Sequence, residues 1–269
     1  MRQSSKPRRR AGGPACLASV LGGVWLFFPV LLRGQSDFAN TDAGRPFRTQ
    51  DAQVIERGAL ELHLPTVQWA RSNDVTRWRF EPELALGVLP RTQLDIGVDV
   101  AAGARAADSV ESDHVILRVV HQLNVESLQF PAFAVGLQSA VPLNSTDVDW
   151  QGVLVATRTF GAVRVHANAR GRLGPQAGVG TSRWELGVAA DRTMPMRHLL
   201  VGAEVVAVRP DIPRGQSVWR AGVGARWQWS VRTALDAGVS RTSGGDGEWQ
   251  VTAGISTSTS LRFLLGGMR

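Results

Sequence analysis

The sequence predicts an all-β fold, an antiparallel transmembrane β-barrel of about twelve strands preceded by a signal peptide. Three observations predict it. Apolar residues recur at every second position in segments of about ten residues, a length typical of barrel strands. The connections between segments mostly alternate between short and long, and the tryptophans lie near segment ends.

Twelve segments carry the period of two, which is the strand signature because successive side chains point to opposite faces. In residues 216–229, for example, Trp219, Ala221 and Val223 alternate with Arg220 and Gly222. The segments cover 57–71, 76–88, 93–104, 113–124, 131–142, 149–160, 162–172, 182–191, 197–208, 216–229, 233–242 and 248–263. The pattern does not fix which face of 149–160 is the apolar one.

The connections favour a barrel of the outer-membrane type. Tight links fall at 89–92, around Gly161, at 192–195 and at 230–232, and longer polar links fall at 105–112, 144–147, 173–181, 210–216 and 243–247. Short turns at one end and longer loops at the other are typical of outer-membrane barrels. Two connections depart from this alternation, the short 71–75 and the longer 125–130.

Tryptophan placement supports the same interpretation, because aromatic rings prefer the headgroup level of a membrane. Eight tryptophans lie near the ends of segments and are predicted to form two membrane-interface belts. They are Trp69, Trp78, Trp150, Trp184, Trp219, Trp227, Trp229 and Trp249.

The first residues read as a secretory signal peptide, with a basic start at Arg8–Arg10 and an apolar run at 15–32. Cleavage is expected near residues 34–36, although the run approaches spanning length and an uncleaved anchor is the alternative. The predicted organisation is a signal at 1–35, a periplasmic N-terminal segment at 36–56, the barrel at 57–263 and a tail at 264–269. Export would deliver the chain to the barrel-assembly machinery and the lipid of a bacterial outer membrane.

The net charge does not indicate a nucleic-acid partner. Six of the basic residues lie in residues 1–34 without any acid, so the formal charge of +7 falls to +1 once they are removed. A basic patch is the expected footprint of nucleic-acid binding, and a nearly neutral chain lacks one. Cys16, the single cysteine, lies within the signal, so no disulfide is expected.

A soluble β-sandwich or lipocalin-like barrel is the alternative fold, in which the apolar rows would face a protein core. The opposite rows mix charged residues with glycines such as Gly187, Gly202, Gly224 and Gly238. Small and charged residues on one face suit a crowded polar lumen. The pattern therefore favours the membrane barrel.

The charged residues of that face form the predicted lumen lining. They are Glu61, His63, Arg77, Arg79, Glu81, Glu83, Asp95, Asp99, Arg118, Arg164, Arg170, Arg183, Glu185, Glu204, Arg220, Arg226 and Asp236. These charges could select solutes, or they could form cross-strand ion pairs that brace or plug the lumen. Both interpretations remain open at the level of sequence.

The sequence predicts no catalytic residue, metal site or cofactor. The five histidines lack the convergent spacing of metal ligands. A hydrolase site would require His166 and Asn168 to meet a hydroxyl from Ser182 or Ser240, and neither serine lies in a recognisable nucleophile motif.

Several stretches resemble the outer-membrane barrels described as predicted transporters related to the "MetA-pathway of phenol degradation" proteins. They are TDAGRP at 41–46, EPELALGV at 81–88, TQLDIGV at 92–98, TRTFG at 157–161 and VHAN at 165–168. The resemblance covers most of residues 41–263, and it implies a barrel with a role in outer-membrane passage and hydrophobic solutes as the substrate class.

The predicted function is therefore passive passage of small solutes through an outer-membrane barrel. Two alternatives use the same architecture. A lipid-modifying barrel enzyme would lose activity on a single histidine or serine change, and a structural or adhesive barrel would conduct nothing across a bilayer.

Overall fold

In the described part of the chain, thirteen strands form one antiparallel sheet. The sheet closes on itself because the last of these strands pairs with the first, from Ala59↔Ser260 to Arg71↔Trp249. The computed structural model describes residues 40–41, 45–72, 75–103, 114–143, 148–173, 182–210, 217–243 and 247–260. The strands are β1 (Ala59–Ser72), β2 (Val75–Phe80), β3 (Glu83–Leu89), β4 (Thr92–Gly103), β5 (His114–Asn124), β6 (Ala132–Pro142), β7 (Asp149–Phe160), β8 (Val163–Leu173), β9 (Ser182–Met194), β10 (Leu199–Pro210), β11 (Val218–Ser230), β12 (Thr233–Ser243) and β13 (Trp249–Ser260).

β2 and β3 are two pieces of one barrel strand. Both lie between β1 and β4 and pair with both of them. The interruption falls at residues 81–82, where Pro82 has no N–H to give to the ladder, while its carbonyl accepts a hydrogen bond from the Val98 N–H at 3.1 Å. Counted this way the barrel has twelve strands, and the predicted fold class is confirmed.

The two faces of the wall differ as the period of two requires. On β11, Trp219 and Val223 are more than half exposed, while Arg226, which has the opposite parity, is only 1% exposed. The same contrast holds on β9, where Leu186 and Val188 are exposed and Glu185 is buried. The large aliphatic side chains therefore cover the outside of the barrel, and most charged side chains face its interior.

The two ends of the barrel differ in their connections. At one end, here named the turn end, the strands are joined at 90–91, 125–131, 161–162, 195–198 and 231–232. Arg91 and Gly161 adopt positive φ angles of 59° and 63°, as tight hairpin turns require. At the other end, named the loop end, the longer predicted connections 105–112 and 144–147 lie outside the described residues, as does 210–216 apart from Pro210, which ends β10.

The N-terminal segment has a position that the sequence pattern does not indicate. The described residues 45–56 lie inside the barrel and hydrogen-bond to its inner wall. The assignment of residues 36–56 to the periplasmic side stays a prediction. Arg45, Phe47, Thr49 and Ala52 are all nearly fully buried. Charged and amide side chains of the wall face the barrel interior and need hydrogen-bond partners there. The N-terminal segment supplies such partners.

The signal peptide at 1–35, the tail at 264–269 and Phe263 lie outside the described residues. Within the described ranges, the structure has no helix long and apolar enough to span a membrane.

Candidate functional site

The barrel interior is the candidate site, and the N-terminal segment occupies much of it. Side chains of the wall form hydrogen bonds with the backbone of this segment, in place of the backbone groups that a neighbouring strand would supply. The Gln50 N–H donates to Asn168 Oδ1 at 2.9 Å, and Asn168 Nδ2 donates back to the Gln50 carbonyl at 2.8 Å. The Ala52 N–H donates to Thr157 Oγ1 at 2.9 Å, and the Ile55 N–H donates to Gln93 Oε1 at 3.0 Å.

Glu204 on β10 is a further anchor for the segment. Its carboxylate accepts the N–H groups of Arg48 and Thr49 and the Thr49 hydroxyl, each at 2.9 Å. Arg48 in turn reaches Glu185 on β9, donating from Nε at 2.7 Å. Arg170 on β8 donates to the Arg48 carbonyl at 2.8 Å. Both carboxylates are buried, so each has to be paired or hydrogen-bonded.

Inward-facing glycines make room for the segment. A methyl group added at Gly187 would lie 2.7 Å from Thr49 Oγ1, and one at Gly224 would lie 2.8 Å from Pro46 Cβ. At Gly238 the nearest atom would be the Pro46 carbonyl oxygen, at 2.5 Å. In the sequence these glycines indicate a crowded lumen, and the segment at 45–56 supplies the crowding.

A small apolar cluster completes the contact between segment and wall. Ala52 is fully buried and packs with Val120, Ala132, Ala134, Val153 and Val155, with Val54 beside them. The inner face of β7 is therefore apolar at Val153 and Val155 and polar at Thr157. The odd-numbered residues of 149–160 face inward, which the sequence pattern did not fix.

Next to this contact, Thr157, His166 and Asp191 form a buried chain of hydrogen bonds. Thr157 Oγ1 lies 3.0 Å from His166 Nδ1, and His166 Nε2 lies 2.9 Å from Asp191 Oδ2. Arg164 also donates to Asp191, and it lies 3.4 Å from Asp51 of the segment. This hydroxyl, imidazole and carboxylate do not form an open site, because Thr157 is only 2% exposed and already accepts the Ala52 N–H.

A second buried charge cluster lies on the opposite part of the wall. Arg118 on β5 donates to Asp95 on β4 at 2.8 Å and pairs with Glu83 on β3. His63 lies 3.4 Å from Glu61 and 3.8 Å from Glu83. These groups are side chains of adjacent strands, and their opposite charges brace the wall from within.

Arg226 on β11 joins the wall to the start of the segment. It donates to Asp236 on the neighbouring β12 at 2.5 Å and to the Asn40 carbonyl. Arg226 is 1% exposed, so both contacts are shielded from water.

Toward the loop end the charges are less buried. Arg77 lies 3.4 Å from Glu248, and Arg79 lies 3.2 Å from Asp99 and 3.9 Å from Glu81. Arg220 donates to Gln250 at 2.6 Å. These side chains line the approach to the segment from that side.

A cavity of about 40 Å³ remains between the segment and the wall. Its lining includes Phe47, Arg48, Glu204, Arg220 and Ser240. A volume of this size has room for only a few water molecules. An organic solute does not fit in this cavity with the segment in place.

The structure places sixteen of the seventeen charged residues predicted for the lumen in the interior clusters or toward the loop end, as described above. The side chain of Arg183 lies outside the described part of the chain. Sequence reasoning considered Asn168 only as part of a hydrolase site. It did not single out Gln93, Thr157 or Gln68, which donates to Glu81, or the segment itself. Gln93 lies two positions from Asp95, and Asn168 lies two positions from Arg170, so each shares the inward parity of a charged residue on its strand. That parity could have identified them from the sequence.

The eight tryptophans lie near strand ends, as the sequence suggests, and their position in a membrane stays a prediction. Trp69 and Trp78 are directly paired across β1 and β2. Trp227 and Trp229 stack with ring centroids 6.4 Å apart. Arg241 lies over the Trp249 ring at 5.2 Å.

In the part of the chain that the structure describes, no group of three histidine, cysteine, aspartate or glutamate side chains could hold a metal ion. His166 meets Thr157 rather than a serine. Ser240 lies on β12 opposite Gly222 and Gln250, and the side chain of Ser182 is not described.

Comparisons with known proteins show that this chain has the fold of outer-membrane β-barrels. It is similar to the KdgM porin in complex with disordered oligogalacturonate, with 12% identity, a TM-score of 0.52 and coverage of 74% of this chain and 98% of that one. The NanC porin aligns with 8% identity and a TM-score of 0.53 over 74% of this chain and 98% of that one.

An outer membrane channel from Pseudomonas putida F1 aligns with 10% identity and a TM-score of 0.51, over 77% of this chain and 98% of that one. No protein-family model matches the chain, and no curated protein matches it in sequence. The fold class is thus a twelve-stranded barrel of the outer-membrane kind. The resemblance to the phenol-degradation family is not confirmed at the level of family.

Proposed function

We propose that this chain is a narrow channel of the bacterial outer membrane, through which small solutes pass passively when the N-terminal segment moves away from part of the wall. The observation that carries the proposal is a closed wall with a charged, hydrogen-bonding interior and an exposed aliphatic exterior. Leu154, Leu186 and Val188 are each more than half exposed on that exterior. Such a wall is stable in a bilayer, because every strand edge is paired and apolar side chains meet the lipid.

The named neighbours support this function because they are porins and channels. Their likeness concerns the fold, and the channel function of this chain rests on that fold together with its own interior. The partners that follow are outer-membrane lipid and the barrel-assembly machinery. Export through the predicted signal at 1–35 belongs to the same proposal.

The N-terminal segment sets the conductance in this proposal. With residues 45–56 seated, the cavity of about 40 Å³ admits water but no organic solute. The segment is held by hydrogen bonds rather than by a large apolar core, and such contacts can be exchanged for water when it moves. Solute passage through this cavity therefore requires a shift of the segment away from at least part of the wall.

Small hydrophobic solutes are the class that the phenol-degradation resemblance implies for this channel. The interior itself is polar, with Arg170, Glu185, Glu204 and Arg220 around the cavity region. A charged lining favours polar or amphipathic small molecules over purely aliphatic ones. We propose small aromatic molecules that carry a polar group as the class that satisfies both.

Conductance of the refolded protein in planar bilayers tests the channel. We expect small, discrete current steps, and we expect Arg77→Glu at the loop end to change the ratio of cation to anion permeability. Arg77 suits this test because its side chain is about half exposed, whereas Asp95 is buried in the Arg118 cluster. The channel would be refuted if neither the parent protein nor a variant with weakened contacts between segment and wall produced any current across the bilayer.

A further inference from the structure

The connection between β5 and β6, residues 125–131, stands apart from the tight links of the turn end. Leu128 is 97% exposed and Phe130 is 62% exposed. Val125 in the same connection is 56% exposed, and a group of exposed large apolar side chains indicates a contact surface.

Internal hydrogen bonds hold this turn in one conformation. The Ser127 N–H donates to the Phe130 carbonyl at 2.9 Å, and the Phe130 N–H donates to Ser127 Oγ at 3.1 Å. Asn124 Nδ2 donates to the carbonyls of Val125 and Pro131 at 3.0 and 2.8 Å. Much of the polar backbone of the turn is thus satisfied without water, as a water-poor environment requires.

Arg158 on β7 joins the turn to the outward-facing row of the wall. It has the parity of Leu154 and Phe160, whose side chains face outward. Its guanidinium donates to the carbonyls of Ser127 and Leu128 at 2.5 and 2.7 Å. The turn therefore folds over the turn-end rim of β7, where it contacts Arg158 of the outward parity and, through Glu126, Thr159 of the inward parity.

Glu126 adds further hydrogen bonds between the turn and β7, and its carboxylate balances the charge of Arg158. Its carboxylate accepts the Thr159 N–H and the Thr159 hydroxyl, both at 2.7 Å, and lies 3.7 Å from Arg158. The outward arginine is thereby compensated within the turn. An arginine near lipid has to be paired or bound to carbonyl oxygens, and here it is both.

From this geometry we propose that residues 125–130 are a lipid anchor, with Leu128 and Phe130 inserted at the boundary between headgroups and acyl chains at the turn end of the barrel. The surface continues the outer wall, where Leu123, Phe133 and Phe160 are also exposed. This inference depends on the membrane location in the proposed function and adds a specific contact to it. Amphipathic surfaces bind at that boundary, where apolar side chains are buried and polar groups reach water.

Site-specific fluorescence in vesicles tests the anchor. In a Cys16→Ser background, single cysteines at Leu128→Cys, Leu154→Cys and Gln53→Cys carry an environment-sensitive dye. Phosphatidylcholine vesicles contain nitroxide lipids labelled either near the headgroup or near the chain end, and iodide serves as the aqueous quencher. Leu154 is exposed in the outer wall, and Gln53 is exposed on the segment within the barrel, so they are matched controls.

We expect the shallow nitroxide to quench the dye at position 128 at least about twofold more than the deep nitroxide does, because insertion reaches only the acyl boundary. The dye at 154 should be quenched by nitroxide lipids, and the dye at 53 by neither. Quenching at 128 by iodide alone, with 154 still quenched by lipid, would overturn the anchor but leave the membrane barrel intact.

Two further outcomes also decide the question. Protection of position 128 from both lipid and iodide would assign the surface to contact with a second copy of the chain and overturn the lipid anchor. Loss of lipid quenching at 154 would instead contradict the membrane location on which the anchor and the channel both depend.

Discussion

Thr49 donates two hydrogen bonds to the same carboxylate oxygen of Glu204, one from its backbone nitrogen and one from its hydroxyl, each at 2.9 Å. The two residues are 155 positions apart in the chain, and the contact fixes the N-terminal segment to β10 inside the barrel. The same carboxylate also accepts the Arg48 N–H. Glu204 is therefore the side chain on which the position of the segment depends most directly.

Replacing this carboxylate should open the channel. Glu204→Ala leaves three buried donors of the segment without their acceptor, and each such group costs about 1–3 kcal/mol. We expect the seated state to lose population and single-channel conductance in planar bilayers to rise. Thr242→Ala, a lumen-facing change nearer the loop end on β12, is the control and should leave conductance at the parent level. Equal conductance in both variants would mean that Glu204 does not seat the segment.

Gly187 offers a steric test of the same contact. Gly187→Ala places a methyl group 2.7 Å from Thr49 Oγ1, while the next nearest atom is 3.4 Å away. We expect this change to displace Thr49 and to raise the accessibility of a Gln53→Cys thiol to a water-soluble maleimide. Thr49→Gly removes the clashing hydroxyl together with one hydrogen bond to Glu204, so the double variant should label no faster than Thr49→Gly alone.

Gly171→Ala is the matched control for that experiment, because a methyl group there meets nothing within 4 Å. Both glycines lie in strands of the same wall, on β8 and β9. Faster labelling with Gly171→Ala as well would show that any glycine change loosens the barrel, and the specific contact would be refuted.

The strand pattern is readable from the sequence because the period of two is a local property. The alternation predicts a strand over residues 233–242, and β12 covers Thr233–Ser243. Pairing within hairpins is almost as local. The two-residue turn at 161–162 fixes the register of β7 and β8 and puts Thr157 opposite His166. The hydroxyl partner of His166 can therefore be found from the turn, and it is a threonine rather than the serine of a hydrolase site.

The interior segment was not predictable in the same way. Residues 45–56 have no strand period, and their partners Asn168, Glu185 and Glu204 lie more than a hundred residues away. The sequence does show the vacant space, as glycines on the inward rows of β9 to β12. It does not show which part of the chain fills that space, because hydrogen bonds to backbone N–H groups place few demands on the identity of the donor residue.

The interruption between β2 and β3 has a visible cause. The alternation predicts one strand over residues 76–88, although Pro82 lies within them and proline cannot donate to a sheet ladder. The structure retains this strand as two pieces with a common pair of neighbours, so the proline breaks the ladder without changing the topology.

The buried Arg118 cluster should contribute much more to stability than the partly exposed pairs at the loop end. Asp95→Ala leaves the Arg118 guanidinium, 7% exposed, without one of its carboxylates. Removing one partner of a buried pair costs about 3–5 kcal/mol. We expect a clear fall in the urea concentration at which the heat-modifiable, compact gel form is lost.

Arg77→Ala is the comparison for that measurement, because the Arg77 and Glu248 pair is partly exposed and is expected to contribute at most about 1 kcal/mol. A similar loss of urea resistance in the two variants would contradict the bracing role of the Arg118 cluster.

The last prediction concerns the pH dependence of the turn at 125–130. Burial acts to raise the pKa of Glu126, but the hydrogen bonds from the Thr159 N–H and hydroxyl, together with the charge of Arg158, lower it below its ordinary value. A carboxyl group whose pKa is lower in the folded protein stabilises the fold above its unfolded pKa, and this contribution disappears as the pH falls through the folded pKa.

The turn should therefore be fully ordered at neutral pH and loosen only in acid, below the ordinary pKa of a glutamate. The amide chemical shift of Thr159, followed by NMR in detergent micelles, should titrate with the folded pKa of Glu126. Glu126→Gln keeps a hydrogen-bond acceptor but cannot ionise, so the Thr159 shift should then be flat over the same range. A titration that persists in Glu126→Gln would assign the pH response to another group and leave the turn without this electrostatic support.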